Sequence, residues 1–273
     1  MKFQNRLTLL ILSIVLMLNS NLFPQGDVRG SVIIFPQNDI QVSLINQSGI
    51  VVNRTMTDNN GRYYFRHISV GNYKLEFHCD YIKPCATSYF YVPVSGMHRN
   101  AEQLSNQYNA PGLIALLYCF ALFAPDEFPD MVIALGDRIN SDRQILQSID
   151  RISNAFLYEA SMQPSQREII SDAVAAGIPR EEAERVYSQQ SSPAVMGLHF
   201  AEMSQSIRQI LAGNTRNYRE TQLYQYGKFL ATMLAMTNSM SQLYGSFINI
   251  DQLIKSAKIV NFYYTLAYAR LIL

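Results

Sequence analysis

Between Val28 and Val94 apolar and polar positions alternate, and beyond Asn109 apolar positions recur every three to four residues. Period-two alternation marks a half-buried antiparallel strand. Tyr63 and Phe65 fall on one face, with Arg62, Tyr64 and Arg66 on the other. Tyr73, Leu75, Phe77 and Cys79 then oppose Lys74, Glu76, His78 and Asp80. Upstream, Val28, Gly30, Val32 and Ile34 alternate with Arg29, Ser31 and Ile33, followed by Ile40, Val42 and Leu44. A turn at Gln47-Ser48-Gly49 leads into residues 50–57, and residues 89–94 form the last run. About six or seven strands spaced by roughly ten residues predict an all-β antiparallel sandwich. Asp58-Asn59-Asn60-Gly61 reads as the central turn, because Asp and Asn side chains bond the local backbone and Gly accepts positive φ. The same oxygens suggest a calcium loop as an alternative, but the Glu that closes an EF-hand loop is missing.

Composition shifts over residues 97–109, and the rest of the chain predicts an all-α bundle. Pro111-Gly112 opens an apolar run at residues 113–124, closed by Pro125-Asp126-Glu127-Phe128-Pro129. Its length suits a buried core helix better than a membrane span, and a hydrophobic hairpin lying in a membrane through residues 112–135 is the alternative. Ser141-Asp142-Arg143-Gln144 reads as a capping box before a stripe of Ile145, Ile149, Ile152 and Phe156. Further helices are predicted from Pro164 to a stop at Gly177 and over residues 179–187. Another runs from Pro193 to a stop at Gly213, with Met196, His199, Phe200, Met203, Ile207, Ile210 and Leu211 on one face. Residues 218–244 and residues 250–273 complete the set.

The blocks at the N-terminal end carry a resemblance. Val28-Arg29-Gly30-Ser31-Val32, then Ile40-x-Val42-x-Leu44, Thr57-Asp58-x-x-Gly61-x-Tyr63-x-Phe65 and Ile68-x-x-Gly71-x-Tyr73-x-Leu75 resemble the carboxypeptidase regulatory-like family. Its domains are small transthyretin-like or carbohydrate-binding-like β-sandwiches. The likeness spans about residues 27–96. The first loop, Phe35-Pro36-Gln37-Asn38-Asp39, is shorter than the family pattern. The resemblance implies an appended, non-catalytic module, so no catalytic residue is transferred. Residues 100–273 resemble no family.

Export changes how the cysteines are read. Lys2 and Arg6 precede an apolar run from residue 7 to residue 18, and polar Asn19-Ser20-Asn21 follows, which is a signal-peptide pattern over residues 1–25. An uncleaved N-terminal anchor is the alternative. In an oxidising compartment Cys79 and Cys85 are a disulfide candidate across a hairpin tip, worth about 2 kcal/mol for so short a loop. Cys119 sits in the apolar run and reads as a buried thiol.

The chain has 273 residues, 48% hydrophobic and 16% charged, with a net charge of +1. That balance lacks the basic footprint of a nucleic-acid binder, so the two short helices before residue 188 read as a helical hairpin and not a DNA-reading pair. His199 on an apolar face reads as a core histidine, since no second ligand completes a metal or haem site. Asp126, Glu127 and Asp130 read as a solvated loop. No nucleophile elbow, zinc-binding His-Glu-x-x-His or phosphate loop occurs, so no catalytic, cofactor or metal residue is assigned. An enzyme with an unrecognised helical catalytic domain is the alternative. Sugars stack on exposed aromatic faces, which makes outward Tyr64, Tyr89 and Tyr91 the candidate ligand-facing residues, although the chain has no Trp. The expectation is an exported, non-catalytic binding or scaffolding protein of the cell envelope, partnered by protein or carbohydrate.

Overall fold

The computed structural model describes residues 25–94, 96–142, 144–162, 166–181, 193–244 and 249–272. The expected signal peptide, apart from Gln25, lies outside the described residues, as does most of the helix expected over 179–187. Tertiary contacts divide the chain between Tyr108 and Asn109.

Among its described residues the first unit holds eight strands: β1 (Gln25–Ile33), β2 (Gln41–Asn46), β3 (Val51–Met56), β4 (Arg62–Ser69), β5 (Gly71–His78), β6 (Cys85–Ala86), β7 (Phe90–Val92) and β8 (Met97–Gln103). One sheet is ordered β4-β1-β8, and the other β3-β2-β5-β6 with β7 also on β5. The alternation predicts burial well. Tyr63, Phe65, Tyr73, Leu75 and Phe77 are all buried, with Val28, Val32, Val42 and Leu44. The sheets meet where the Tyr63 and Phe77 rings lie 5.9 Å apart.

Among the described residues the antiparallel expectation holds for every strand pairing but one. β8 runs parallel to β1, from Asp27 opposite Met97 to Ile33 opposite Gln103. Only strands joined by a tight hairpin are obliged to be antiparallel, and β8 is entered from β7 of the other sheet. Its sequence, Met97-His98-Arg99-Asn100-Ala101-Glu102-Gln103, has too little apolar alternation to announce a strand.

The central turn forms as expected. Asp58 Oδ1 accepts from the Asn60 and Arg62 amides, both at 2.8 Å, so this oxygen already serves the backbone. The short first loop is tied down by two tyrosines. Tyr81 Oη donates to the Pro36 carbonyl at 2.6 Å, and Tyr108 Oη bonds both the amide and the carbonyl of Phe35. Cys79 and Cys85 are free thiols. The register sets Cys85 opposite Phe77, so Cys79 lies two residues past the position facing Cys85.

The second unit contains α1 (Ala110–Phe123), α2 (Phe128–Ala134), α3 (Gly136–Ser141), α4 (Gln144–Met162), α5 (Gln166–Ala175), α6 (Pro193–Leu211), α7 (Gln222–Tyr244) and α8 (Ile250–Ile272). Asn109 caps α1 by accepting the Gly112 amide at 2.9 Å. Ten of the fourteen α1 residues are buried, so the helix is enclosed and not merely laid on a surface. Its neighbours are chiefly α8 and α7. At 1.5 Å per residue it is about 21 Å long, short of a hydrocarbon core of about 30 Å. Among the described residues no helix is long and apolar enough to cross a membrane. The apolar sides that α1 would give to lipid are given to protein instead, whereas Ile133 of α2 stays exposed.

Two helix boundaries differ from expectation. Ser141 ends α3, its hydroxyl donating to the Arg138 carbonyl at 3.0 Å, and Asp142 Oδ1 takes the Gln144 amide at 3.2 Å in its place. The helix expected over 218–244 is broken at Thr221. A short 3-10 turn, Asn217–Glu220, precedes it. Thr221 Oγ1 then accepts the Tyr224 amide, while Glu202 of α6 accepts the Gln222 and Leu223 amides at 3.2 and 2.7 Å. A carboxylate there also suits the helix dipole. Both glycine stops hold, with Gly177 and Gly213 at positive φ beyond the last turns of α5 and α6.

Candidate functional site

An open groove of about 900 Å³ lies on the β unit, its walls including Arg29, Ser31, Thr55, Asp58, Arg62 and Tyr64. It is built by strand register. β1 pairs antiparallel with β4, with Arg29 opposite Tyr64 and Ser31 opposite Arg62. Side chains two apart on a strand share a face, so Arg62, Tyr64 and Arg66 stand in a row on β4 with Arg29 across from the middle of it. Arg29, Arg62 and Arg66 are exposed and Tyr64 is half-buried.

The row ends at a β-bulge. Gly26 faces Ile68 and Val28 faces Phe65, so β4 carries one extra residue there, and His67 takes positive φ. Asp27 fills the irregularity. Its Oδ1 accepts the His67 amide at 3.1 Å and its Oδ2 accepts the Tyr64 hydroxyl at 2.5 Å. The Tyr64 hydroxyl bond, followed by the His67 amide, holds the Asp27 carboxyl below the usual carboxylate range, and the same carboxylate raises the Tyr64 phenol. The Arg66 guanidinium lies over the Tyr64 ring, 5.0 Å from its centre. Bulges commonly re-aim side chains beside binding sites, and this one fixes the ring at the centre of the cluster.

The three candidate tyrosines are not brought together. Tyr64 belongs to the β4-β1-β8 sheet, whereas Tyr89 precedes β7 and Tyr91 lies within it, on the other sheet. Tyr89 and Tyr91 are about half exposed. The alternation on β4 already placed Arg62, Tyr64 and Arg66 on one face. Arg29 and Asp27 were missed as their companions because cross-strand register is not written in either strand alone.

In the helical unit His199 is buried on α6, with its Nδ1 3.2 Å from Tyr118 Oη, which in turn lies 3.3 Å from Met196 Sδ. With the imidazole proton on Nδ1, ring, hydroxyl and thioether are satisfied in series. Cys119 is buried; burial raises its thiol to about 11, and the Asn261 amide donates to its sulfur. Asp126 is not a free loop carboxylate, since it accepts from Tyr224 Oη at 2.9 Å and Lys228 Nζ at 2.8 Å. Asp150 accepts from Ser204 Oγ and Arg208 Nη2, both at 2.6 Å. Among the described residues no group of three His, Cys, Asp or Glu is placed to hold a metal ion.

These contacts predict acid sensitivity. Burial lowers the His199 pKa, with Glu202 pulling the other way. Burial pushes Asp150 up, but Arg208 and Ser204 outweigh it and leave the group below 3.8. Both groups bind protons more readily in the unfolded chain, so both make stability rise with pH. The His199 contribution is complete above about pH 6.5 and declines as pH falls towards its lower folded value. That of Asp150 is complete above about pH 4 and is lost as pH falls through its own. Urea midpoints followed by helical circular dichroism should therefore fall in two stages between pH 8 and 3. His199→Gln should remove the first stage, and an unchanged profile in that variant would contradict the assignment.

No family model and no curated protein matches this chain. Solved structures give partial likenesses. The Bacillus anthracis TIE protein is 16% identical with a TM-score of 0.27, covering 29% of this chain and 17% of that one. A carbohydrate-binding candidate from Pseudomonas aeruginosa is 15% identical with a TM-score of 0.23, covering 30% of this chain and 89% of that one. A variant of the major pilin subunit of Bacillus cereus is 14% identical with a TM-score of 0.23, covering 32% and 30%. Each is a likeness of part of this chain to a β-rich protein.

Proposed function

We propose that this chain is an exported, non-catalytic binding protein of the cell envelope. Its β unit is a small sandwich of the carboxypeptidase regulatory-like kind that holds a saccharide, and its helical unit is the scaffold that carries it. The observation behind this reading is the groove around Tyr64: an aromatic ring locked by Asp27 and Arg66, surrounded by side chains that donate hydrogen bonds. A fixed ring with polar neighbours is what a sugar needs, one apolar face to stack on and donors for its hydroxyls. The test is capture of the full chain on an immobilised glycan panel. Tyr64→Ala should weaken capture by roughly five- to tenfold while Tyr91→Ala leaves it unchanged. Binding that ignores Tyr64 would remove the groove as the site.

A further inference from the structure

We infer that the groove ligand is an acidic glycan, a linear polymer bearing repeated carboxylates, held by Arg62 beside Tyr64 on β4 and by Arg29 across from it on β1. The inference rests on the saccharide reading above and narrows it. Arg62 and Arg66 flank Tyr64 along β4, and Arg29 faces it from β1. Cross-strand and diagonal neighbours on one face lie within about 5–8 Å, so three guanidinium groups share one small patch.

Three guanidinium groups face two carboxylates, Asp27 and Asp58, so the patch keeps a positive excess. Among the described residues no ion pair involves Arg29 or Arg62. The carboxylate next to the patch, Asp27, has one oxygen on the His67 amide and the other on the Tyr64 hydroxyl. Asp58, at the rim, gives Oδ1 to two backbone amides. Like charges gathered this closely repel, and the repulsion is relieved when an anion arrives. The planar fork of Arg matches a carboxylate by two parallel hydrogen bonds. Arg66 already covers the Tyr64 ring, which takes stacking area from a neutral sugar while adding positive charge. An open groove admits a polymer, whose successive carboxylates reach Arg29 and Arg62 in turn.

The experiment measures binding of the full chain to alginate, a linear polyuronate, and to dextran, a neutral polymer of similar length, at low salt and at about 0.15 M. The expected result is alginate binding that weakens with salt, little dextran binding, and about a tenfold or greater loss of alginate affinity in Arg29→Gln/Arg62→Gln. Both positions are exposed, so the double variant should keep the wild-type melting temperature, measured alongside. Alginate affinity unchanged in that variant overturns the inference, as does dextran bound as tightly as alginate. If dextran binding is the stronger and is lost in Tyr64→Ala, the saccharide groove stands and only its anionic preference fails. If neither polymer binds and no member of the glycan panel does, both readings fail.

Discussion

Phe200→Ala should cost the helical unit about 3–5 kcal/mol, measured as the shift in urea midpoint by circular dichroism. Phe200 is fully buried. It stacks on Tyr118 of α1 at 4.6 Å and lies 5.9 Å from Phe156 of α4, so one ring joins three helices. Phe156 in turn stacks on Tyr268 of α8 at 4.5 Å. A cavity at the centre of such a stack is lined by rings that are held from their far sides and cannot collapse into it. The loss approaches the whole stability of an ordinary domain, about 5–15 kcal/mol. Phe200→Leu keeps most of the volume and should cost much less, about 1.5 kcal/mol or under. A loss below about 1 kcal/mol in Phe200→Ala would show that the ring stack is not the centre of the core.

Gly30→Val should destabilise the β unit by about 3 kcal/mol, for the opposite reason. A Cβ on Gly30 would overlap the Tyr63 hydroxyl and stand 2.5 Å from both the Tyr63 Cζ and the Asn100 carbonyl oxygen. The Tyr63 obstacle is a side-chain tip. The Asn100 obstacle is backbone of β8, paired in register with β1, so relief requires the two strands to part. Among the described residues the buried Tyr63 Oη has no hydrogen-bond partner. Tyr63→Phe alone should therefore be neutral or slightly stabilising, because an unpaired buried hydroxyl is costly. Gly30→Ala in the Tyr63→Phe background should be less damaging than Gly30→Ala alone, a coupling that a double-mutant cycle of melting curves would read. Strict additivity would show that the Tyr63 hydroxyl does not set the limit, leaving the Tyr63 ring and the Asn100 carbonyl.

The contrast between these two sites follows what the chain does and does not write locally. The Met203, Ile207 and Ile210 stripe, the Gly177 and Gly213 stops and the alternation at Tyr63, Phe65, Tyr73, Leu75 and Phe77 are each carried by neighbours within a few residues, and all stand in the structure. What sequence reading lost depends on partners far away in the chain. The polar strand β8 exists because β1 offers it an edge. The break at Thr221 is reinforced by Glu202 from another helix. Cys79 misses Cys85 through a two-residue offset that only pairing defines. The groove was half legible: β4 displays Arg62, Tyr64 and Arg66 in one row, but Arg29 and Asp27 join them only through the β1–β4 register and its bulge.

The enclosure of α1 also sets an order of events at the ribosome. This most apolar helix is the first of its unit to be synthesised, and its most extensive neighbour, α8, is the last. Contacts between segments so far apart form late, and until they form the apolar surface stays open to other chains. A nascent chain halted between Phe123 and Ile250 would carry α1 without its cover, so a premature stop in that interval should yield aggregate and not a shorter bundle.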